Sequence, residues 1–125
     1  MIVEDHQPSL VLLKEQIELL GHLPTLAHDG LAALFLWEDQ TFDLIITDCN
    51  MPELDGLGLT EEVRHLERAQ RQHPVTIIGT TASARSQDHE AALASGMDAC
   101  LLKPLSLSKL ARHVPALTRT KDQQS

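Results

Sequence analysis

Leu44-Ile45-Ile46-Thr47-Asp48-Cys49-Asn50-Met51-Pro52 is the stretch on which the fold turns. Its apolar run is continuous rather than alternating, which marks a strand covered on both faces. The run ends at a carboxylate, Asp48. A loop follows from Asn50 to Gly56, containing Pro52, Asp55 and Gly56. The same arrangement recurs twice: Ile2-Val3 precedes Glu4-Asp5, and Cys100-Leu101-Leu102 precedes Lys103. If these runs are parallel strands, four charged side chains gather at the carboxyl edge of one sheet, where open α/β sheets bind ligands. Clustered carboxylates repel unless a cation sits among them, so Glu4, Asp5 and Asp48 ask for a hard divalent metal such as Mg²⁺. A lysine facing that metal suits an anionic group, most simply a phosphoryl.

Outward from this stretch, helical and strand patterns alternate. Leu10, Leu13, Ile17 and Leu20 form one helical stripe. Pro8 suits its first turn, and Gly21 a left-handed stop. A short strand is expected from Leu23 to Ala27, at a sheet edge because Pro24 cannot donate to a ladder. Asp29-Gly30 introduces a second helix ending near Gln40. The central strand runs from Leu44 to Thr47, and Leu59, Val63 and Leu66 carry the next helix. Val75 to Thr80 gives a fourth strand, Ser86 to Ser95 an Ala-rich helix closed by Gly96, and Ala99 to Leu102 the last strand. Leu107, Leu110, Val114 and Leu117 repeat the first stripe, with Pro115 shortening its end. Five strands alternating with five helices predict an α/β doubly wound parallel sheet, and order 2-1-3-4-5 puts the Pro24 strand at an edge. One domain is expected over residues 1–117, with a polar tail or linker over 118–125.

The chain has 125 residues and a formal net charge of -8. That suits a single core and excludes a phosphate-backbone-binding surface, so no nucleic acid is expected as a partner. The longest apolar stretch, Leu31 to Trp37, is far short of the ~20 residues that span a bilayer, so no membrane contact is expected. No charged-then-apolar leader opens the sequence. Cys49 and Cys100 fall on strands separated by a third, about 9–10 Å apart and beyond disulfide reach. A reducing, cytoplasmic setting follows. Only Met1 to Val3 precede the acidic pair, whereas strands run ~5–6 residues, so the chain is expected to be cut from a longer protein.

The motifs Ile2-Val3-Glu4-Asp5, Asp48 to Gly56, Thr80-Thr81-Ala82 and Lys103-Pro104 resemble, in order and placement, the receiver domain of two-component signalling. Lone motifs of this kind are weak; together they cover the chain from Ile2 to about Leu117. The resemblance implies a flavodoxin-like fold in which Asp48 takes a phosphoryl group from a phosphohistidine. The partner implied is a histidine kinase or a histidine-containing phosphotransfer domain. It implies Mg²⁺ held by Asp5, Asp48 and the backbone carbonyl of Asn50, with Glu4 acting through water. Lys103 would pair with a phosphoryl oxygen, its peptide bond to Pro104 being cis in the family. Thr81 would bond another oxygen, Ala82 would leave the path open, and Asn50 and Ser83 would tune the lifetime of the acyl phosphate.

One position departs from the family. Receivers carry Tyr or Phe three residues before the lysine as a rotamer switch coupled to the threonine; here Cys100 stands there, and Phe35, Trp37 and Phe42 are the only aromatics. The sequence therefore favours a relay that passes its phosphoryl on to another histidine, and the cysteine is similar to receivers of hybrid sensor histidine kinases. The parent would then be a kinase, while this chain serves as a phosphoacceptor.

Asp48 as a loop cap loses to the full charged set. Thr81 as a strand-end hydroxyl bonded to backbone is the lesser reading, whereas His6 as a helix-start residue and Cys49 as a small buried hydrophobe, rather than a redox-reactive thiol, are the favoured ones. Two other functions compete. A haloacid dehalogenase-type phosphohydrolase needs a general acid at the position of Asn50, which cannot donate a catalytic proton. A non-phosphorylated receiver-like binding module has no need of the complete Glu4, Asp5, Asp48, Thr81, Lys103 set.

Overall fold

The computed structural model describes residues 1–51 and 53–113. The expectations for Pro52, for Val114, Pro115 and Leu117, and for the tail over 118–125 lie outside the described residues. The elements are β1 (Ile2–Val3), α1 (Gln7–Leu19), β2 (Leu26–Ala27), α2 (Gly30–Asp39), β3 (Leu44–Asp48), α3 (Gly56–Gln70), β4 (Thr76–Thr81), α4 (Ser86–Ser95), β5 (Ala99–Leu102) and α5 (Leu107–His113). All strand pairs are parallel, in the order β2-β1-β3-β4-β5. The doubly wound architecture read from the sequence is the one observed.

Strand alternation sorts the core into two layers. Ile2, Leu44, Ile46 and Ile78 face Leu10, Leu13 and Ile17 of α1 and Leu110 of α5. Val3, Ile45 and Ile77 face Ala33 and Trp37 of α2, Leu59 and Val63 of α3, and Ala92 of α4. Burying each large aliphatic side chain contributes about 1.5–3 kcal/mol, so the stripe on α1 alone holds that helix against the sheet. Pro8 lies in the first turn of α1, and Gly21 follows its end at φ 93°. Asp29 caps α2 and Asp55 caps α3, each accepting at 2.8 Å from a backbone N–H three residues on.

Three boundaries differ from the sequence reading. Pairing in β2 covers Leu26–Ala27 only: Pro24 has no N–H to give, and Leu23 is 92% exposed. Asp48 is itself the last residue of β3, in register with Thr80, so its carboxylate stands on the strand rather than beyond it. β4 begins at Thr76 because the Val75 N–H is taken by the buried Glu67, at 2.7 Å, and not by the ladder. Glu67 is held in turn by Arg64, whose guanidinium also reaches the carbonyls of Val75 and Gly96 and the carboxylate of Asp98. This hub ties α3 to the turns that enter β4 and β5. It fixes the strands whose far ends carry Thr81 and Lys103.

Candidate functional site

Three elements deliver the charges to one place. β1 pairs with β3, so Glu4 and Asp5 emerge beside Asp48 at the carboxyl ends of adjacent strands. Carboxylate oxygens of Glu4, Asp5 and Asp48 all lie within 4.8 Å of one another. Glu4 and Asp48 are buried, whereas Asp5 is exposed. A hard-oxygen set with one side open to water fits Mg²⁺, which dehydrates reluctantly and needs few protein ligands. Asp48 Oδ1 accepts the N–H of Asn50 at 3.2 Å; Asn50 itself is exposed.

Lys103 enters from the far side of β4. Its backbone N–H bonds Thr81 O at 2.7 Å, and its peptide bond to Pro104 is cis, as the family resemblance implies. Its Nζ lies 2.8 Å from Glu4 Oε1 and 3.3 Å from Asp48 Oδ2. Burial works to lower the pKa of this ammonium, but the hydrogen bond to Glu4 and the charge of Asp48 outweigh it, and the group sits above the ordinary lysine value. The other oxygen of Glu4, Oε2, accepts the N–H of His6 at 3.2 Å. Glu4 thus holds Lys103 directly, a contact the sequence reading did not give it. A carboxylate this deeply buried needs a charged partner, and among the described residues the ammonium of Lys103 supplies it.

Thr81 is buried at the end of β4, and its Oγ1 accepts the N–H of Ser83 at 3.1 Å. That leaves the hydroxyl proton available. Ala82 is exposed. Cys100 is half-buried against the α2–α4 layer, and burial raises its thiol pKa. Burial, then the charge of Cys100, push the Cys49 thiol up to about 12, so it behaves as a small buried hydrophobe. Both cysteines are free. His6 stands at the residue before α1 without bonding a helix N–H through its side chain, and its ring pairs with Ser9 Oγ at 2.7 Å, which is the helix-start role.

Two features of the site were not read from the sequence. A Cβ on Gly56 would stand 2.3 Å from Asp48 O, so only glycine lets α3 begin this close to the acid-bearing strand. On the other side, Asp88 and His89 of α4 both reach back to Ser83: Asp88 accepts from its hydroxyl, and His89 Nε2 lies 2.9 Å from its carbonyl. Nothing in the sequence marks that contact, since it depends on how the intervening loop folds.

A family profile described as "Response regulator receiver domain" matches residues 1–115. The virulence sensor protein BvgS of Bordetella pertussis is 40% identical over 116 residues, covering 91% of this chain and 9% of that protein. The sensor protein EvgS of Escherichia coli K12 is 40% identical over 117 residues, covering 94% of this chain and 9% of that protein. The chain therefore spans about a tenth of the length of these relatives. Among solved structures, the receiver domain of sensor histidine kinase PA1611 from Pseudomonas aeruginosa PAO1 superposes with a TM-score of 0.82 at 35% identity, covering 94% of this chain and 93% of that one. That structure is described with a magnesium ion coordinated in its active-site cleft. The receiver domain of Ssk1 from Saccharomyces cerevisiae, solved with the histidine phosphotransfer protein Ypd1, superposes at 0.87 with 28% identity, covering 96% and 88%.

Proposed function

Since this chain belongs to the response regulator receiver domain family, we propose that Asp48 is its phosphoacceptor and that the reaction needs Mg²⁺. The observation that carries this reading is the convergence of Glu4, Asp5, Asp48 and Lys103 from three strand ends onto one cluster. Asp48 Oδ attacks the phosphorus of a phosphohistidine, and the imidazole leaves as the bond to the carboxylate forms. Such transfers depend on positioning and on neutralising charge over the phosphoryl oxygens. Mg²⁺ supplies part of that neutralisation when bound; Asp5, Asp48 and the Asn50 carbonyl would hold it, with Glu4 behind them. Lys103 swings part of its hydrogen bonding from Glu4 to the phosphoryl group. Thr81 donates its free hydroxyl proton to another phosphoryl oxygen.

The proposed donor is a histidine kinase or a histidine-containing phosphotransfer domain in the cytoplasm, of the kind found with the Ssk1 receiver. α1 offers that partner Val11 and Leu12, exposed at 45% and 48%. Leu12 continues into a cavity of about 280 Å³ lined also by Leu13, Lys103, Pro104 and Leu105, beside the acceptor. With Cys100 in place of the aromatic switch, relay to a further histidine is the proposed service.

The test is incubation with Mg²⁺ and a small acyl phosphate, read by intact mass. One added phosphoryl, lost with EDTA and in Asp48→Asn, supports the reading. Steady turnover of unrelated phosphate esters supports a hydrolase instead.

A further inference from the structure

We infer that His89 is a positioning residue for phosphoryl transfer: it clamps Ser83 so that Thr81 presents its hydroxyl to the acceptor site. This rests on the assignment of Asp48 as phosphoacceptor. The chain of contacts starts at Thr81 Oγ1, which accepts the N–H of Ser83 at 3.1 Å. A hydroxyl has one proton and two lone pairs, so an occupied lone pair restricts where the proton can point. How firmly that restriction holds depends on how firmly Ser83 is held.

Every polar group of Ser83 is engaged. Its N–H goes to Thr81, its hydroxyl donates to Asp88 Oδ2 and accepts the N–H of Arg85 at 3.2 Å, and its carbonyl faces His89 Nε2 at 2.9 Å. A carbonyl has no proton to give, so Nε2 carries the hydrogen in this contact. Ser83 and His89 are half-buried, while Ala82, Ala84, Arg85, Ser86, Gln87 and Asp88 are exposed. The loop between β4 and α4 therefore has little apolar packing, and these hydrogen bonds determine its conformation. α4 in turn rests on the sheet through Ala92. The clamp thus references the Thr81 hydroxyl to a packed helix across an otherwise solvent-exposed loop, as a supporting shell must if a reacting group is to be held within tenths of an ångström.

The experiment compares rates of Asp48 modification by a small acyl phosphate with saturating Mg²⁺, in the wild-type chain, His89→Ala, His89→Gln, Thr81→Ala and the double variant Thr81→Ala/His89→Ala. Mg²⁺ affinity is measured in each by calorimetry. His89→Ala is expected to slow modification about fivefold, the size of one lost neutral hydrogen bond. His89→Gln, whose amide can donate to the Ser83 carbonyl, is expected to recover the wild-type rate to within about twofold. In the Thr81→Ala background, His89→Ala is expected to change nothing further, because the group it positions is gone. Mg²⁺ affinity is expected to hold throughout. A His89→Ala rate equal to wild type, or an effect that persists undiminished in Thr81→Ala, would overturn the inference. If His89→Ala does not fold, His89→Leu, which keeps side-chain bulk but has no donor for the Ser83 carbonyl, is compared in the same two backgrounds with the same criteria. A wild-type chain that takes no phosphoryl overturns the acceptor assignment and this inference with it, an outcome separate from unequal variants of an active chain.

Discussion

Lys103 Nζ donates to Glu4 Oε1 at 2.8 Å across ninety-nine residues of sequence, joining the carboxyl ends of β1 and β5 inside the site. The pair places a cation against the acidic cluster from within the protein. Glu4 has no exposed side-chain surface, and Lys103 keeps a quarter of its own.

Lys103→Met is therefore expected to cost about 2 kcal/mol, below the roughly 3–5 kcal/mol for breaking a fully buried pair because the ammonium is partly solvated. Urea unfolding at neutral pH checks this. The folded-state pKa of Lys103 is raised, so its stabilisation is complete below the unfolded value of 10.5 and is lost as pH rises through the folded value. The gap between wild type and variant should stay constant from neutral pH to about 10 and close only above that. Mg²⁺ should also raise the melting temperature of Lys103→Met more than that of the wild type, since the metal then has no competing cation.

Removing a carboxylate from the cluster should weaken Mg²⁺. Asp5→Asn is expected to lose about tenfold in affinity by calorimetry, roughly 1.4 kcal/mol, with little change in stability because Asp5 is exposed. Unchanged affinity would remove Asp5 from the ligand set.

Cys49 should resist alkylation. With its thiol pushed up to about 12 and its surface buried, iodoacetamide at pH 8 should label Cys100 first and Cys49 only on unfolding. Peptide mass mapping after short labelling distinguishes the two.

Gly56→Ala should damage both fold and site, because a Cβ there meets Asp48 O at 2.3 Å and Cys49 Cα at 2.9 Å. Backbone cannot yield as a flexible side chain would, so α3 must shift. A loss of at least about 2 kcal/mol in denaturant unfolding is expected, together with slower modification of Asp48.

The sequence was informative where chemistry and periodicity coincide. A charge at the end of each of three apolar runs placed Glu4, Asp5, Asp48 and Lys103 on one sheet edge, and the stripe of Leu10, Leu13 and Ile17 specified the helix that covers β1 and β3. It was silent where the partner is chosen by loop geometry. That Glu4 binds Lys103, and that His89 reaches Ser83 six residues back, follow from side-chain reach in the assembled fold. β2 was overestimated for a related reason: Pro24 was admitted as an edge-strand residue, but an edge strand pairs only where its neighbour β1 extends, and β1 has two residues.

Asp48 as the acceptor is tested most directly by trapping the acyl phosphate with borohydride, which reduces an aspartyl phosphate to homoserine, and locating the product by tandem mass spectrometry. Homoserine at position 48 alone, formed only when Mg²⁺ and the phosphoryl donor are both present, is the predicted result. Homoserine at Asp5 or Asp55, or at no residue of a chain shown to be folded, would contradict it.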